Sequence, residues 1–184
     1  MQLPSGSNPF TTLKSTELHR RNYVRSVVDQ IQIEDLVKDY SYLDCSDSVN
    51  VVALNEDGQV VLVGQWRYPI QEYSWEIPAG MMEENEDPLE AAKRELEEEA
   101  GVQAEEWVQL GSVVRDASKL TGKTHTFLAK RLKLVTAHPE DYEKIESLWL
   151  PFEEILQKVR SGEIKEAGTV VALLKVQDHL QNLA

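Results

Sequence analysis

Between Glu86 and Glu99 the chain carries seven carboxylates, Glu86, Asp87, Glu90, Glu95, Glu97, Glu98 and Glu99, against two cations, Lys93 and Arg94. On a helix, residues three and four apart are neighbours, so Glu95 meets both Glu98 and Glu99, and each such like-charge pair costs about 0.2–0.5 kcal/mol in water. A chain that keeps this cluster either spreads the repulsion over a solvated face or uses it to hold a cation. Hard oxygen donors suit Mg²⁺, Mn²⁺ or Ca²⁺, and Mg²⁺ commonly takes one or two protein carboxylates together with substrate phosphate oxygens.

Spacing separates these readings. Gly80, then Glu86, then the run Arg94-Glu95-Leu96-Glu97-Glu98-Glu99-Ala100-Gly101-Val102 fill every fixed position of the Nudix box. The chain therefore resembles a Nudix hydrolase, a class that cleaves nucleoside diphosphates linked to another group. A long motif of this kind carries a small false-positive risk when its local structure agrees. The competing reading is a Glu-rich surface helix laced with Glu–Lys pairs.

The local pattern must display those acids. Asp87 suits an N-cap, Pro88 the first helical position and Glu90 the capping-box position, while Gly101 accepts a left-handed conformation at the helix end. Leu89, Ala92, Leu96 and Ala100 repeat at helical spacing as the buried stripe, which leaves Glu95, Glu98 and Glu99 away from the core or along its edge. Gly80 lets the backbone come close without a Cβ in the way. By the resemblance, the metal ligands are Glu95, Glu98 and Glu99 with the backbone carbonyl of Ala79, and the cofactor is Mg²⁺ or Mn²⁺. Glu98 serves as ligand or as base. Arg94 pairs with a box glutamate and orients it, a role that suits a guanidinium fork. Glu86 is structural.

Upstream, Gln65-Trp66-Arg67-Tyr68-Pro69 and Tyr73-Ser74-Trp75-Glu76-Ile77-Pro78-Ala79-Gly80 resemble the ADP-ribose pyrophosphatase branch. That branch implies nucleoside diphosphate sugars such as ADP-ribose or GDP-mannose as substrates, cleaved to nucleoside monophosphate and sugar phosphate. It also implies substrate contacts at Arg67 and Glu76 and base stacking on aromatics. Arg67 makes sense as a phosphate clamp or as one half of a strand salt bridge. Trp66, Tyr68 and Trp75 are stacking surfaces or core, and Met81 lines the pocket by the same analogy. An acidic loop before the strand SLWLP offers Glu140 and Glu143 as candidate bases, or is simply hydrophilic. His125 is structural. Where ADP-ribose-specific members carry a proline in a Ser-Pro-Gly-like loop, this chain has Arg115-Asp116-Ala117-Ser118-Lys119-Leu120-Thr121-Gly122. That departure leaves two readings open, strict ADP-ribose preference and a broader nucleotide-sugar hydrolase. Rival activities are hydrolysis of nucleoside triphosphates, dinucleoside polyphosphates or coenzyme A, and a non-catalytic nucleotide-sugar sensor.

The rest of the chain has to hold this site. A length of 184 residues and 41% hydrophobic content suit one globular domain with a real core. The net charge of −13 argues against general nucleic-acid binding. It would also repel a polyphosphate unless metal ions invert the local sign. The single Cys45 excludes an intrachain disulfide and points to a reducing, cytoplasmic compartment. No signal peptide and no membrane-spanning apolar run is expected.

Residues 1–22 read as a partly flexible arm and 23–184 as the catalytic domain, with a strand pair between Tyr23 and Leu43. The resemblance implies a homodimer to which residues 1–45 contribute. Val49 to Leu54 and Val60 to Val63 flank Asn-Glu-Asp-Gly, a hairpin signal, and both runs are apolar enough to lie centrally in a sheet. Strands are predicted at Trp107 to Val114, Thr124 to Leu134 and Ile145 to Leu150, and helices at Phe152 to Arg160 and Ala167 to Leu180. Mixed strands with a helix on each side give an α/β/α sandwich with a mixed central sheet, plus N-terminal strands. That is also the Nudix fold.

Overall fold

The computed structural model describes residues 3, 5–138 and 144–182. Its contacts divide the chain into two units, residues 1–45 with 116–121, and residues 46–115 with 122–184.

The first unit is a three-stranded antiparallel sheet in the order β1 (Thr11–Arg21), β2 (Val24–Ile33) and β3 (Leu36–Cys45). β1 corrects the expected loose arm, because Thr11 to Arg21 pairs with β2 along its length. Every residue of β1 is exposed, so it carries no buried-face alternation; backbone pairing with β2 and an ion pair from Glu17 to Arg25 of β2 (3.6 Å) hold it. Residues 116–121 return to this unit through Leu43 N–H to the Lys119 carbonyl (2.8 Å) and Cys45 N–H to Thr121 Oγ1 (3.0 Å). Among the described residues of the unit, Val27 and Ile31 are the buried apolar side chains.

Among its described residues the second unit contains two sheets and three helices. One sheet runs β10 (Glu146–Pro151), β5 (Gln59–Arg67), β6 (Glu72–Glu76), and the other β7 (Ala79–Met81), β4 (Ser48–Ala53), β9 (Lys123–Leu134), β8 (Val102–Val114). The second is mixed, since β4 and β9 are parallel while β7–β4 and β8–β9 are antiparallel. The expected Val49–Val63 hairpin is corrected here. Gly58 takes the positive φ of the turn (73°), but only the Leu54–Val60 bridge joins the two runs, which then part into different sheets. The turn chemistry fixes the chain reversal locally; the partners of two wholly apolar strands are chosen by packing. Each nevertheless lies centrally in its own sheet.

Alternation along these strands builds a layer on each face. Val49, Val51, Ala53, Val61, Phe127 and Ala129 pack with Ala91, Ala92 and Leu96 of α1 (Pro88–Ala100). Val52, Val60, Leu62 and Leu128 pack instead with α2 (Phe152–Ser161) and α3 (Ala167–Gln181). This is the α/β/α arrangement, with α1 alone on its side. Among the described residues no helix is long and apolar enough to cross a membrane.

Candidate active site

The site is assembled by pressing α1 against β7. Asp87 Oδ1 accepts from Leu89 N–H (2.9 Å) and Glu90 N–H (3.4 Å), Pro88 opens the helix, and Gly101 closes it at φ 63°. Glu90 is turned outward to Lys93 (2.7 Å), so the capping is one-sided and not the reciprocal box its position suggested. β7 pairs with β4 in the register Val49–Gly80 and Asn50–Ala79.

Glu95 and Glu99, one turn apart, are buried at 8% and 5% exposure, so of the two placements expected they take the edge of the core and do not point away from it. The cause is Gly80: a Cβ there would overlap the Glu95 carboxylate, so the missing side chain makes the space the acid occupies. Glu99 Oε2 accepts from the Ala79 N–H at 2.8 Å. The half-buried Glu98 shares Arg94 Nη1 with Glu95, at 3.0 and 2.7 Å.

Arg94 is the hub. Its Nε and Nη2 grip both oxygens of Glu86 (2.9 and 3.0 Å), Nη2 also donates to the Met81 carbonyl (3.1 Å), and Nη1 serves the two helix acids. Glu86 also accepts from the Glu83 N–H at 2.8 Å, tying the loop to the helix. The hydrogen bonds from Arg94 hold the Glu86 carboxyl below the usual carboxylate range against the opposing effect of burial, and Glu86 in turn raises the Arg94 pKa. Glu97 lies apart, bonded to Gln103 (2.9 Å).

The donor chemistry fits a hard divalent ion: two buried carboxylates on one helix face, a third beside them, and the Ala79–Gly80 backbone alongside. Among the described residues, however, no three His, Cys, Asp or Glu side chains are gathered as a ready-made metal site. Arg94 draws on Glu95 and Glu98, while Glu99 leans on the backbone.

A cavity of 630 Å³ opens beside β7, lined by Gly80, Met81, Arg67, Glu76, Asn50 and Arg115 among others. Arg67 and the buried Glu76 form a two-point ion pair, Nε to Oε1 at 3.0 Å and Nη2 to Oε2 at 2.6 Å, so the strand salt bridge is present and both its members line the cavity. Trp66 and Tyr68 are exposed (57% and 80%) and do not line this cavity. They are therefore not core. Trp75 is half-buried, edge-on to Tyr73 with ring centroids 5.7 Å apart. Met81 lines the cavity. His125, on β9, meets Asp47 at 3.1 Å. Glu140 and Glu143 lie outside the described residues.

Sequence reasoning passed over three cavity residues. Asn50 is 2% exposed, with its Nδ2 donating to the Gly168 carbonyl (3.0 Å); its signal was a lone carboxamide in the apolar run Val49–Ala53. Glu166 caps α3, accepting from Gly168 N–H (2.9 Å) and Thr169 N–H (2.6 Å), and no local pattern marked it. Arg115 sat in the segment noted only for lacking a proline.

Comparison with known proteins agrees with this architecture. The NUDIX domain profile matches residues 46–170, starting where the second unit starts. The chain is 29% identical over 176 residues to the methanol dehydrogenase activator of Bacillus methanolicus, covering 93% of this chain and 95% of that one. It is 32% identical over 138 residues to an ADP-ribose pyrophosphatase of Bacillus subtilis (strain 168), covering 73% and 75% of the two chains. A crystal structure described as an ADP compounds hydrolase superposes with a TM-score of 0.84 at 18% identity, covering 98% of this chain and 99% of that one, a likeness of fold. The helix carrying Arg94 and its glutamates, the glycine cradle beneath Glu95, and the matched profile together establish that the chain belongs to the Nudix family.

Proposed function

We propose that this Nudix pyrophosphatase hydrolyses the diphosphate of a nucleoside diphosphate sugar such as ADP-ribose or GDP-mannose. Water adds to one phosphorus, the bridging P–O bond breaks, and nucleoside monophosphate and sugar phosphate leave. The observation that carries the reading is the cavity, which places the Arg67–Glu76 pair and the Gly80–Met81 backbone on the same space beside the acidic helix. The relative named ADP-ribose pyrophosphatase supports the choice of substrate class.

A divalent ion, Mg²⁺ or Mn²⁺, would be held by Glu95, Glu98 and Glu99 with the Ala79 carbonyl. When bound it neutralises phosphate charge and lowers the pKa of coordinated water. The chain's own residues do the positioning. Arg94 fixes Glu95 and Glu98, the Ala79 N–H fixes Glu99, and Gly80 keeps the space open. Glu98, Glu140 or Glu143 serves as general base. Trp66 and Tyr68, exposed on and just after β5, are available to stack on a base. The first unit presents Leu13, Leu18, Val24, Leu36 and Val37 to solvent, which supports a homodimer built through residues 1–45. The compartment is the cytoplasm.

The test is a panel of sugar nucleotides with Mg²⁺, products identified by mass, run beside Glu98→Gln and Glu99→Gln. Monophosphate and sugar phosphate are expected, with turnover down about 100-fold or more in folded variants, the scale of losing one positioned charged group. Release of pyrophosphate from nucleoside triphosphates, with sugar nucleotides untouched, would overturn the substrate assignment. Wild-type rates in both variants would overturn the site.

A further inference from the structure

The cavity has a charge problem that follows from the proposed substrate. A diphosphate brings negative oxygens into a space whose two arginines are Arg67 and Arg115 and whose acids include Glu76 and Glu166. Arg67 is committed to the 4%-exposed Glu76 through two hydrogen bonds, a pair of zero net charge. Glu166 spends its oxygens on two N–H groups of α3.

Arg115 is held differently. Its Nη2 donates to the Ser46 carbonyl at 2.9 Å, and its Nη1 lies 3.4 Å from the Met81 sulfur. Among the described residues it has no carboxylate partner, whereas Arg67, the other arginine of the cavity, has one; Arg21 and Arg160 also have none but do not line the cavity. Neutral partners orient a guanidinium without cancelling its charge, and two contacts leave the remaining N–H donors for a ligand. The anchor matters as well. Met81 is adjacent to Gly80, and its carbonyl already accepts from Arg94. The charged head therefore sits at the rim of the cavity on the side of the box, where the scissile diphosphate must lie if the box performs the reaction.

We propose that Arg115 is the protein's phosphate-binding cation, contacting a non-bridging oxygen of the substrate diphosphate. The Arg67–Glu76 pair, neutral but rich in donors and acceptors, then reads an uncharged part of the substrate, base or sugar hydroxyls. This inference rests on the diphosphate substrate proposed above.

The experiment uses the full-length chain with Arg115→Ala and Arg115→Lys. Kinetics on ADP-ribose with Mg²⁺ are paired with calorimetric binding of AMP and of adenosine. A hydrogen bond from a charged donor to phosphate corresponds to about 10–100-fold in affinity. Arg115→Ala should raise KM by about that factor while kcat stays within about threefold. It should weaken AMP to the same degree and leave adenosine unchanged, with Tm unaltered because the side chain is exposed. Arg115→Lys, which keeps the charge, should recover part of the loss. KM and AMP affinity within about twofold of wild type would overturn the role, as would equal weakening of AMP and adenosine. Should wild type turn over no sugar nucleotide, the substrate proposal fails by itself, and the AMP–adenosine comparison still decides for or against Arg115.

Discussion

Removing Arg94 tests whether one guanidinium holds the site together. Arg94→Ala removes the 2.7 Å Arg94 contact from Glu95, at 8% exposure, and takes both guanidinium hydrogen bonds from Glu86, whose side chain is 15% exposed and keeps the Glu83 N–H on Oε2. Taking one member out of a buried ion pair costs about 3–5 kcal/mol, because the stranded charge stays desolvated. Arg94 is itself 27% exposed, so the low end applies, about 3 kcal/mol. A chain of this size loses about 2–4 °C per kcal/mol, giving a Tm drop of roughly 6–12 °C by circular dichroism. The pH dependence carries its own sign. The folded-state pKa of Glu86 is depressed from its ordinary 4.5, chiefly by Arg94. Its contribution is complete above 4.5 and is lost as pH falls through the lower folded value. The gap between wild type and Arg94→Ala should therefore be full at pH 7 and narrow below 4.5. Adding Glu86→Gln to Arg94→Ala should recover part of the loss at pH 7. A Tm drop under about 2 °C, or a gap indifferent to acid, would refute the reasoning.

Three more outcomes are expected. Gly80→Ala should displace the Glu95 carboxylate and cut turnover about 100-fold or more, read by steady-state kinetics with circular dichroism confirming the fold. Mg²⁺ at about 100 times its Kd should stabilise the protein by about 2.7 kcal/mol, seen as a rise in Tm that Glu99→Gln largely removes; a purely surface cluster would give no rise. Light scattering should report twice the 20.9 kDa chain mass, and a monomer mass would remove the dimer proposal.

What could be read from the chain depended on whether a signal was local. The caps of α1 are local: Asp87, Pro88 and Gly101 act on their own neighbours, and the helix ends where they put it. The helices and most strands are runs of apolar residues long enough to bound, and their limits fell within a few residues of the observed ones; β8 starts at Val102 and not Trp107, and β5 runs on to Arg67 and does not stop at Val63. β1 was lost because a strand exposed on both faces has no apolar alternation to read. β6 and β7 were lost because five and three residues are too few to establish a period. The pairing of β4 and β5 is a property of the assembled layers, which no turn residue encodes. The same division runs through the site. Glu95, Glu98 and Glu99 were legible from spacing on one helix, but the burial of Glu95 depends on a glycine fifteen positions earlier. Asn50, Arg115 and Glu166 come from β4, the end of β8 and the start of α3, and only the fold puts them on one cavity.

The repulsion that made the acidic segment conspicuous is absorbed within the folded chain. Arg94 meets Glu86, Glu95 and Glu98; Lys93 meets Glu90; the Ala79 N–H meets Glu99; Gln103 meets Glu97. With the Glu83 N–H on Glu86 as well, these six glutamates meet two cations, an amide side chain and two backbone donors. A divalent ion binding these acids would have to compete with the contacts that hold them, so the rise in Tm expected with Mg²⁺ is a net quantity. Among the described residues, the arginine at the cavity rim of this chain of net charge −13 has no carboxylate partner. With Arg94 and Arg67 both paired to glutamates, Arg115 is the cavity arginine that the proposed reading gives to an incoming phosphate.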